Sequence, residues 1–237
     1  LLIVELFKHK EQEMTRKERY QNVIEYFKKN MPIAETELNH GNPYELVVAT
    51  ILSAQCTDKR VNIITPHFFE RYPTVEALAV ASQEAVFEII KSCSYPNNKA
   101  KNLIGMAKGV MENFGGEIPA DLKALQTLPG IGRKTANVVA SVAFKIPAMA
   151  VDTHVFRVAR RIGLSQNAKT PLETEKQLMQ FIPKDLWNIA HHWLILHGRY
   201  TCLARKPKCS QCGIRDYCKE YPRFQKKELL AAQKTKS

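Results

Sequence analysis

Four cysteines near the C-terminal end of the chain are spaced as metal ligands are. They are Cys202, Cys209, Cys212 and Cys218, a Cys-x6-Cys-x2-Cys-x5-Cys pattern. Zinc sites usually carry two Cys-x2-Cys pairs and this segment has one, whereas an iron–sulfur cluster needs four thiolates around a larger object. The spacing alone leaves zinc and an iron–sulfur cluster open. Disulfides are a minor alternative, because no secretory signal is visible.

A second motif, Leu-Pro-Gly-Ile-Gly-Arg-Lys-Thr-Ala at residues 128–136, suits the binding of a phosphate. Gly130 and Gly132 permit a tight turn and the close approach of another backbone. A helix that begins at Arg133 offers free backbone N–H groups to an anion. We therefore predict a helix–hairpin–helix over residues 121–144 that holds a DNA backbone without reading bases. An ordinary turn between two helices is the alternative.

A lysine and a carboxylate are expected to meet beside this motif. A helix over residues 133–144 carries the chain about 18 Å away. Residues 145–152, if extended, cover roughly 26 Å, so Asp152 can return to face Lys134. A lysine beside a helix N-terminus and a partly buried site is shifted toward the neutral amine that a nucleophile needs. The simpler roles are a phosphate contact for Lys134 and a helix cap for Asp152.

The sequence predicts that almost all of the elements that position these residues are helices. Glycine is scarce, at 10 of 237 residues, and apolar residues recur at helical spacing. Thr74 and Ser82 are expected N-caps, and residues 145–151 are expected to be extended. The fold class is all-α, and no apolar run is long enough to span a membrane. The predicted helices cover residues 16–29, 44–53, 58–72, 74–81, 82–92, 97–114, 121–127, 133–144 and 155–162.

The net charge of +12 (35 basic residues less 23 acidic) indicates a polyanionic partner. Nine of the basic residues fall between Arg199 and Lys227, around the four cysteines. The chain does not begin with Met, so residues 1–15 are interpreted as a leader or a disordered end, and residues 223–237 as a basic tail. The protein is expected to be intracellular, and cytoplasmic with nucleoid association if bacterial.

Taken together, these motifs resemble the endonuclease III family of base-excision DNA glycosylases. The resemblance rests on Leu-Pro-Gly-Ile-Gly-Arg-Lys-Thr-Ala-Asn-Val-Val, on Val-Asp-Thr-His-Val-Phe-Arg-Val, and on His-His-Trp-Leu-Ile-Leu-His-Gly-Arg-Tyr-Thr-Cys with the cysteine spacing. It implies a bifunctional glycosylase and AP lyase that excises oxidised pyrimidines from duplex DNA, cleaves 3′ to the abasic site and carries a [4Fe-4S] cluster. It also implies two helical domains with DNA between them, one a continuous six-helix domain at about 36–147. The other combines 16–35 with 148–222.

The resemblance assigns a role to individual residues. Lys134 matches the nucleophile that forms a Schiff base, Asp152 matches the catalytic aspartate, and the four cysteines match the cluster ligands. Gln55, in Leu-Ser-Ala-Gln-Cys-Thr-Asp, matches the residue that fills the gap left by a flipped base. The other expected DNA contacts are Tyr95, Gly130, Gly132, Arg133, Thr135, Arg205, Lys206 and Lys208.

One segment departs from the family pattern. The family usually has Gly-(Leu/Phe)-Tyr-Asn before Lys-Ala, and its apolar residue wedges into the opposite strand, whereas this chain has Cys93-Ser-Tyr-Pro-Asn-Asn-Lys-Ala100. Tyr95 aligns with the wedge and Pro96 fixes the loop, so we expect a wedge of altered shape. Cys56 and Cys93 are expected to be buried free thiols, and His191, His192 and His197 to be packing or DNA-facing residues.

Two alternatives to the leading function stay open. A monofunctional mismatch glycosylase of the same superfamily generally lacks a lysine at position 134. A non-catalytic DNA-binding protein with a structural metal would use Lys134 only for a phosphate and Asp152 only as a cap. The expected partner is duplex DNA with damaged pyrimidines or abasic sites, bound by a monomer.

Overall fold

The computed structural model describes residues 14–226, and within that range every regular element is helical. The all-α prediction is confirmed. Of the predicted leader or disordered end, residues 1–15, the first thirteen lie outside the described residues, whereas Thr15 is ordered as the N-cap of α1. Most of the predicted tail, residues 227–237, also lies outside the described residues. The helices are α1 (Arg16–Asn30), α2 (Pro43–Ser53), α3 (Asp58–Arg71), α4 (Val75–Ala79), α5 (Gln83–Ile90), α6 (Pro96–Phe114), α7 (Leu122–Thr127), α8 (Arg133–Ala143), α9 (Thr153–Ile162), α10 (Pro171–Phe181) and α11 (Trp187–Tyr200).

The helix starts follow local capping chemistry. Thr15 and Glu18 form a reciprocal capping box at the start of α1. Thr74, Ser82 and Asp121 each accept a backbone N–H in the first turn of α4, α5 and α7. The two predicted caps, Thr74 and Ser82, are confirmed. Sequence periodicity had placed most helix boundaries within one or two residues.

The chain divides into two compact units. The hairpin unit comprises residues 34–152 and 184–192, and the cysteine unit comprises the described residues up to Ile33, residues 153–183 and the chain from Trp193 onward. The division predicted from the sequence differs from this one, because it places residues 34–35, 148–152 and 184–192 with the cysteine-bearing part.

The hairpin unit is built around α2, which is buried on nearly every face. Residues 46–52 of α2 are all buried, and helices α3 to α8 supply the surrounding core. Such a helix needs apolar residues all round, as Leu-Val-Val-Ala-Thr-Ile-Leu provides. Thr50 is satisfied within the helix, because its hydroxyl donates to the Leu46 carbonyl at 2.7 Å.

The cysteine unit has an aromatic core. The rings of Phe27 and Trp193 stack with centroids 5.7 Å apart, and the Trp193 indole N–H donates to the Met31 carbonyl at 2.8 Å. Buried Tyr20 donates to the Leu164 carbonyl at 2.8 Å, which fixes α1 on the loop after α9. Short 3₁₀ turns at Cys209–Gln211 and Arg215–Tyr217 shape the cysteine segment, residues 202–218.

No described helix is both long and apolar enough to cross a membrane.

Candidate functional site

The hairpin, residues 128–132, joins α7 to α8 in the conformation that its glycines predict. Leu128 and Ile131 are buried, and the Ile131 N–H donates to the Leu128 carbonyl at 3.1 Å. Gly130 has φ +78, and a Cβ on it would come within 2.9 Å of the Asn102 Cβ. Only glycine meets both conditions without strain, so Gly130 shapes the turn.

The start of α8 is open to solvent. Gly132 caps the helix without a side-chain hydrogen bond, and a Cβ on it would meet nothing within 4 Å. Arg133 and Lys134 are exposed and Thr135 is half-buried. Because the first N–H groups of a helix lack intrahelical acceptors, this surface suits an anion. The use of these residues on DNA stays a prediction.

A side-chain hydrogen bond from α8 anchors the chain that returns from it. The Asn137 side chain donates to the Met149 carbonyl at 2.9 Å, inside a run of buried residues at 148–151. Lys134 lies three residues before this anchor along the helix, about 4.5 Å of rise, and Asp152 lies three residues beyond it, at most about 10 Å. The anchor therefore holds the segment that leads to the half-buried Asp152 against the half of α8 that carries Lys134.

A buried histidine borders Lys134 from α11. His191 has no exposed surface, and its Nε2 atom has no hydrogen-bond partner. Burial lowers the pKa of His191 well below its ordinary value, and the nearby His192 and Lys134 lower it further. His191 is thus a neutral packing residue next to the candidate nucleophile. His192 and His197 are buried as well, so all three histidines pack inside the protein.

Gln55 and Tyr95, the two residues expected to enter the DNA helix, both have an unusual backbone conformation. Gln55 has φ +53 and Tyr95 has φ +55, in the left-handed region that residues with side chains seldom adopt. Both are exposed, and the Ser94 hydroxyl between them donates to the Gln55 carbonyl at 2.6 Å. Strained, exposed residues of this kind cluster at ligand-binding sites.

The cysteine segment borders a small, partly open cavity that is lined by all four thiols together with Arg161, His197 and Ile214. Burial raises the pKa of Cys218 to about 11 and also raises the pKa of Cys212. Within residues 14–226, no three Cys, His, Asp or Glu side chains are placed to hold a single metal ion. Four thiols around a cavity fit the larger iron–sulfur cluster.

Two arginines of α9 hold the cysteine segment, and the sequence analysis missed both. Arg161 donates to the carbonyls of Leu203 at 2.6 Å and Ala204 at 2.9 Å, and Arg157 donates to the Cys202 carbonyl at 3.2 Å. These arginines are four residues apart and so share one helix face. That spacing is the signal that the sequence offered.

The basic loop between the first two cysteines is exposed, as its charge suggests. Arg205, Lys206 and Lys208 all lie on the surface. The Lys208 N–H donates to the Thr201 carbonyl at 2.9 Å and closes the base of the loop. Their predicted contact with phosphate stays a prediction.

Comparison with known proteins agrees with this arrangement. A family model described as HhH-GPD superfamily base excision DNA repair protein matches residues 48–184, and one described as the iron–sulfur binding domain of endonuclease III matches residues 202–218. Endonuclease III of Bacillus subtilis is 48% identical over 84% of this chain and 91% of its own length. The chain belongs to the endonuclease III family. Endonuclease III of Escherichia coli K12 is 43% identical over 83% of this chain and 92% of its own length.

Solved endonuclease III structures extend the match to three dimensions. An endonuclease III trapped as a covalent intermediate with DNA aligns with a TM-score of 0.86 and 42% identity, over 90% of this chain and all of the other. A thermostable thymine-DNA glycosylase aligns less well, with a TM-score of 0.76 and 25% identity over 88% of this chain and 97% of the other.

Membership of the endonuclease III family confirms the main functional predictions. The protein is a bifunctional DNA glycosylase and AP lyase of base-excision repair, it binds DNA, and its cofactor is a [4Fe-4S] cluster. Zinc, left open by the cysteine spacing, is thereby set aside.

Proposed function

We propose that this endonuclease III family member excises oxidised pyrimidines from duplex DNA and cleaves the strand 3′ to the abasic site, with Lys134 as nucleophile. The observation that supports the proposal is the Asn137–Met149 hydrogen bond, which holds the segment leading to Asp152 against the half of α8 that carries Lys134. The covalent capture of DNA by a structural relative supports a nucleophilic mechanism.

The first step requires that the damaged nucleotide leave the base stack, because its glycosidic carbon is inaccessible inside the duplex. The neutral amine of Lys134 attacks C1′, and the C1′–N bond breaks with its electron pair leaving on the base. Lys134 is exposed in the free protein, so the flipped nucleotide itself supplies the burial that favours a neutral amine.

Asp152 is proposed to act on the sugar. Its carboxylate stabilises the positive charge that develops at C1′ and accepts a proton from the Lys134 nitrogen. It returns that proton to O4′ as the C1′–O4′ bond breaks and the imine forms. Loss of a C2′ proton from the imine then expels the 3′ phosphate, and water hydrolyses the remaining imine. A carboxylate beside an amine is the minimum set for these proton transfers.

Gln55 and Tyr95 are proposed to handle the DNA around the flipped nucleotide. Gln55 occupies the gap that the base leaves, and the Tyr95 ring wedges against the opposite strand. Their exposed side chains and left-handed backbones suit residues that reach out of a scaffold. Pro96 begins α6 directly after Tyr95 and limits the freedom of the wedge.

The remaining proposed contacts hold the DNA backbone. Gly130, Gly132, Arg133 and Thr135 bind phosphate at the start of α8, and Arg205, Lys206 and Lys208 bind phosphate at the basic loop. Cys202, Cys209, Cys212 and Cys218 are the proposed cluster ligands. When bound, the [4Fe-4S] cluster supplies the iron–thiolate bonds that fix this loop. We propose a monomer that acts on the chromosome, in the cytoplasm at the nucleoid.

Borohydride trapping on a thymine-glycol duplex tests the nucleophile. Borohydride reduces a Schiff base to a stable amine, so the wild-type protein is expected to form a covalent adduct with the DNA. Lys134→Gln is expected to abolish the adduct and to lower strand cleavage by about 10³-fold or more. Lys134 is exposed, so this variant should fold normally.

Lys176→Gln, at an exposed lysine of α10, is the matched control and should trap like the wild type. Full trapping by Lys134→Gln would show that another amine is the nucleophile. Base release without any adduct in the wild type would instead favour the monofunctional alternative.

A further inference from the structure

Cys56 and Cys93, expected from the sequence to be buried free thiols, lie in two neighbouring turns and are called the thiol pair. Cys56 follows Gln55 in the turn after α2, and Cys93 lies two residues before Tyr95 in the turn after α5. Cys56 packs against the apolar core that contains Cys93, and the two thiols interact electrostatically. Both are free, and Cys56 is half-buried whereas Cys93 is only 4% exposed. The thiol pair therefore has one member that a small reagent can reach and one that it cannot.

The backbone on both sides of the thiol pair is already fixed. The Cys56 N–H donates to the Ser53 carbonyl at 3.0 Å, and the Cys93 N–H donates to the Ile90 carbonyl at 2.8 Å. Their neighbours are also joined, through the Ser94 hydroxyl and the Gln55 carbonyl. These hydrogen bonds keep the two cysteine-bearing turns side by side, which the formation of a disulfide requires.

Cations surround the pair. The Lys99 ammonium, on α6, donates to the Leu52 and Ala54 carbonyls at 2.8 Å each and interacts electrostatically with both thiols. Arg60, on α3, adds a second positive charge near Cys93. Burial raises the pKa of Cys93 to about 11, and these cations oppose that rise. A partly exposed thiol in a positive environment is the usual setting of a redox-sensitive cysteine.

We propose that Cys56 and Cys93 are a redox modification site, which a low-molecular-weight disulfide such as oxidised glutathione converts into an internal disulfide. The Cys56 thiolate attacks one sulfur of the small disulfide, forms a mixed disulfide and releases one thiolate. The Cys93 thiol loses its proton and attacks the Cys56 sulfur, which releases the second small thiol. The protein loses two electrons and two protons, and the reagent gains them.

The new bond would join the two loops that carry Gln55 and Tyr95. Because both residues are proposed to enter the DNA helix, a covalent link beneath them restricts the adjustment that DNA binding requires. This part of the inference rests on the proposed function. We infer that the oxidised enzyme is less active and that a dithiol reductant restores it.

The experiment treats the cluster-loaded protein with oxidised glutathione and maps disulfides by mass spectrometry of peptides. Cleavage of thymine-glycol duplex is measured before treatment, after treatment and after reduction. The wild type is expected to form the Cys56–Cys93 disulfide and to lose about fivefold or more of its cleavage activity, reversibly. Cys56→Ala and Cys93→Ala are expected to keep their untreated activity throughout. Visible absorbance reports whether the cluster stays intact.

Four results would overturn the inference. They are a glutathione adduct that stops at Cys56, an internal disulfide with unchanged cleavage, an equal loss of activity in Cys56→Ala, and a loss of activity that follows cluster absorbance. Untreated protein that fails to cleave the duplex would contradict the proposed function instead. Disulfide formation is read by mass and does not depend on cleavage, so the two failures are distinguishable.

Discussion

The hairpin, residues 128–132, and the cysteine segment, residues 202–218, both present polar groups on short loops, but different forces fix their backbones. In the hairpin, buried Leu128 and Ile131 tie the turn to the apolar core, and the polar groups are left exposed. In the cysteine segment, Ile214 is the one fully buried residue, and arginine side chains of α9 hold the carbonyls. The first loop is supported by burial and the second by charged hydrogen bonds and its cofactor.

This difference explains why the hairpin can keep reactive side chains exposed to solvent. A nucleophile must remain accessible to DNA, so its loop has to be stabilised by contacts on the side that faces the protein core. The buried apolar residues of the hairpin provide that stabilisation. The cysteine segment has too few apolar residues to fold on burial alone. Ligand binding that occurs only in the folded state supplies the missing free energy.

Removal of the cluster is expected to have the largest effect on the cysteine segment and little effect on the hairpin. Chelation or oxidation of the iron is expected to speed amide hydrogen exchange in residues 202–218 by about 10³-fold, equivalent to about 4 kcal/mol of local stability. Exchange in residues 128–136 should stay within about threefold of its starting rate. Exchange measured by mass spectrometry on native and cluster-free protein checks both segments at once. Equal acceleration in both would show that the hairpin also depends on the cofactor.

Acid should weaken the cysteine unit through His197. Burial lowers the pKa of His197 to about 4, and its Nε2 atom lies 3.7 Å from the Cys212 sulfur. In the unfolded chain the histidine binds a proton below about pH 6.5, which the folded state resists until about pH 4. Stability is therefore complete above pH 6.5 and falls as the pH drops toward 4, by about 3 kcal/mol in all.

Denaturant unfolding of wild type and His197→Gln from pH 7.5 to 4 measures this contribution. The variant is expected to be less stable at pH 7.5 and to show a shallower decline with acid. Parallel curves for the two proteins would mean that His197 contributes nothing to the acid sensitivity.

The sequence analysis succeeded where one local rule decides the outcome. Thr74 and Ser82 cap helices because their side chains accept the N–H three residues on, and Gly130 bends the hairpin because no other residue fits. The cysteine spacing indicated a metal site for the same kind of reason. The family resemblance, and not periodicity, drew attention to Gln55.

The features that escaped prediction depend on packing between distant parts of the chain. Arg157 and Arg161 looked like ordinary basic residues of a helix, because their acceptors lie more than 40 residues away, as sequence separations of 45 and 42 show. Cys56 and Cys93 come near each other because a hydrogen bond from Ser94 to Gln55 joins the turns that follow α2 and α5. His191 next to Lys134 likewise needs the folded chain.

Arg161→Met tests whether charged hydrogen bonds hold the cysteine segment. Loss of its charged hydrogen bonds to the half-buried Leu203 and the exposed Ala204 is expected to cost about 1–2 kcal/mol, since both carbonyls lose a charged donor. The variant should release its cluster faster when challenged with a chelator, as followed by visible absorbance. Arg160→Met is the matched control, because Arg160 is exposed on the same helix. Equal rates of cluster loss from both variants would show that the Arg161 hydrogen bonds do not hold the cysteine segment.

Substitutions at the two hairpin glycines distinguish a residue that supports the fold from one that contacts the ligand. Their effects on stability and affinity are expected to be the smallest of those predicted for the two loops. Gly130→Ala forces a Cβ toward Asn102 at φ +78 and is expected to lower the free energy of unfolding by about 1–2 kcal/mol. Gly132→Ala adds a methyl group in open space at φ −83, so stability should change by less than about 0.5 kcal/mol. That methyl group covers the N–H groups at the start of α8, and affinity for undamaged duplex should fall by about threefold to tenfold. Thermal unfolding and a binding titration at fixed salt measure the two effects separately. If Gly132→Ala binds DNA as tightly as wild type, the open helix start is not a phosphate site, and burial beneath the hairpin would then serve only the placement of Lys134.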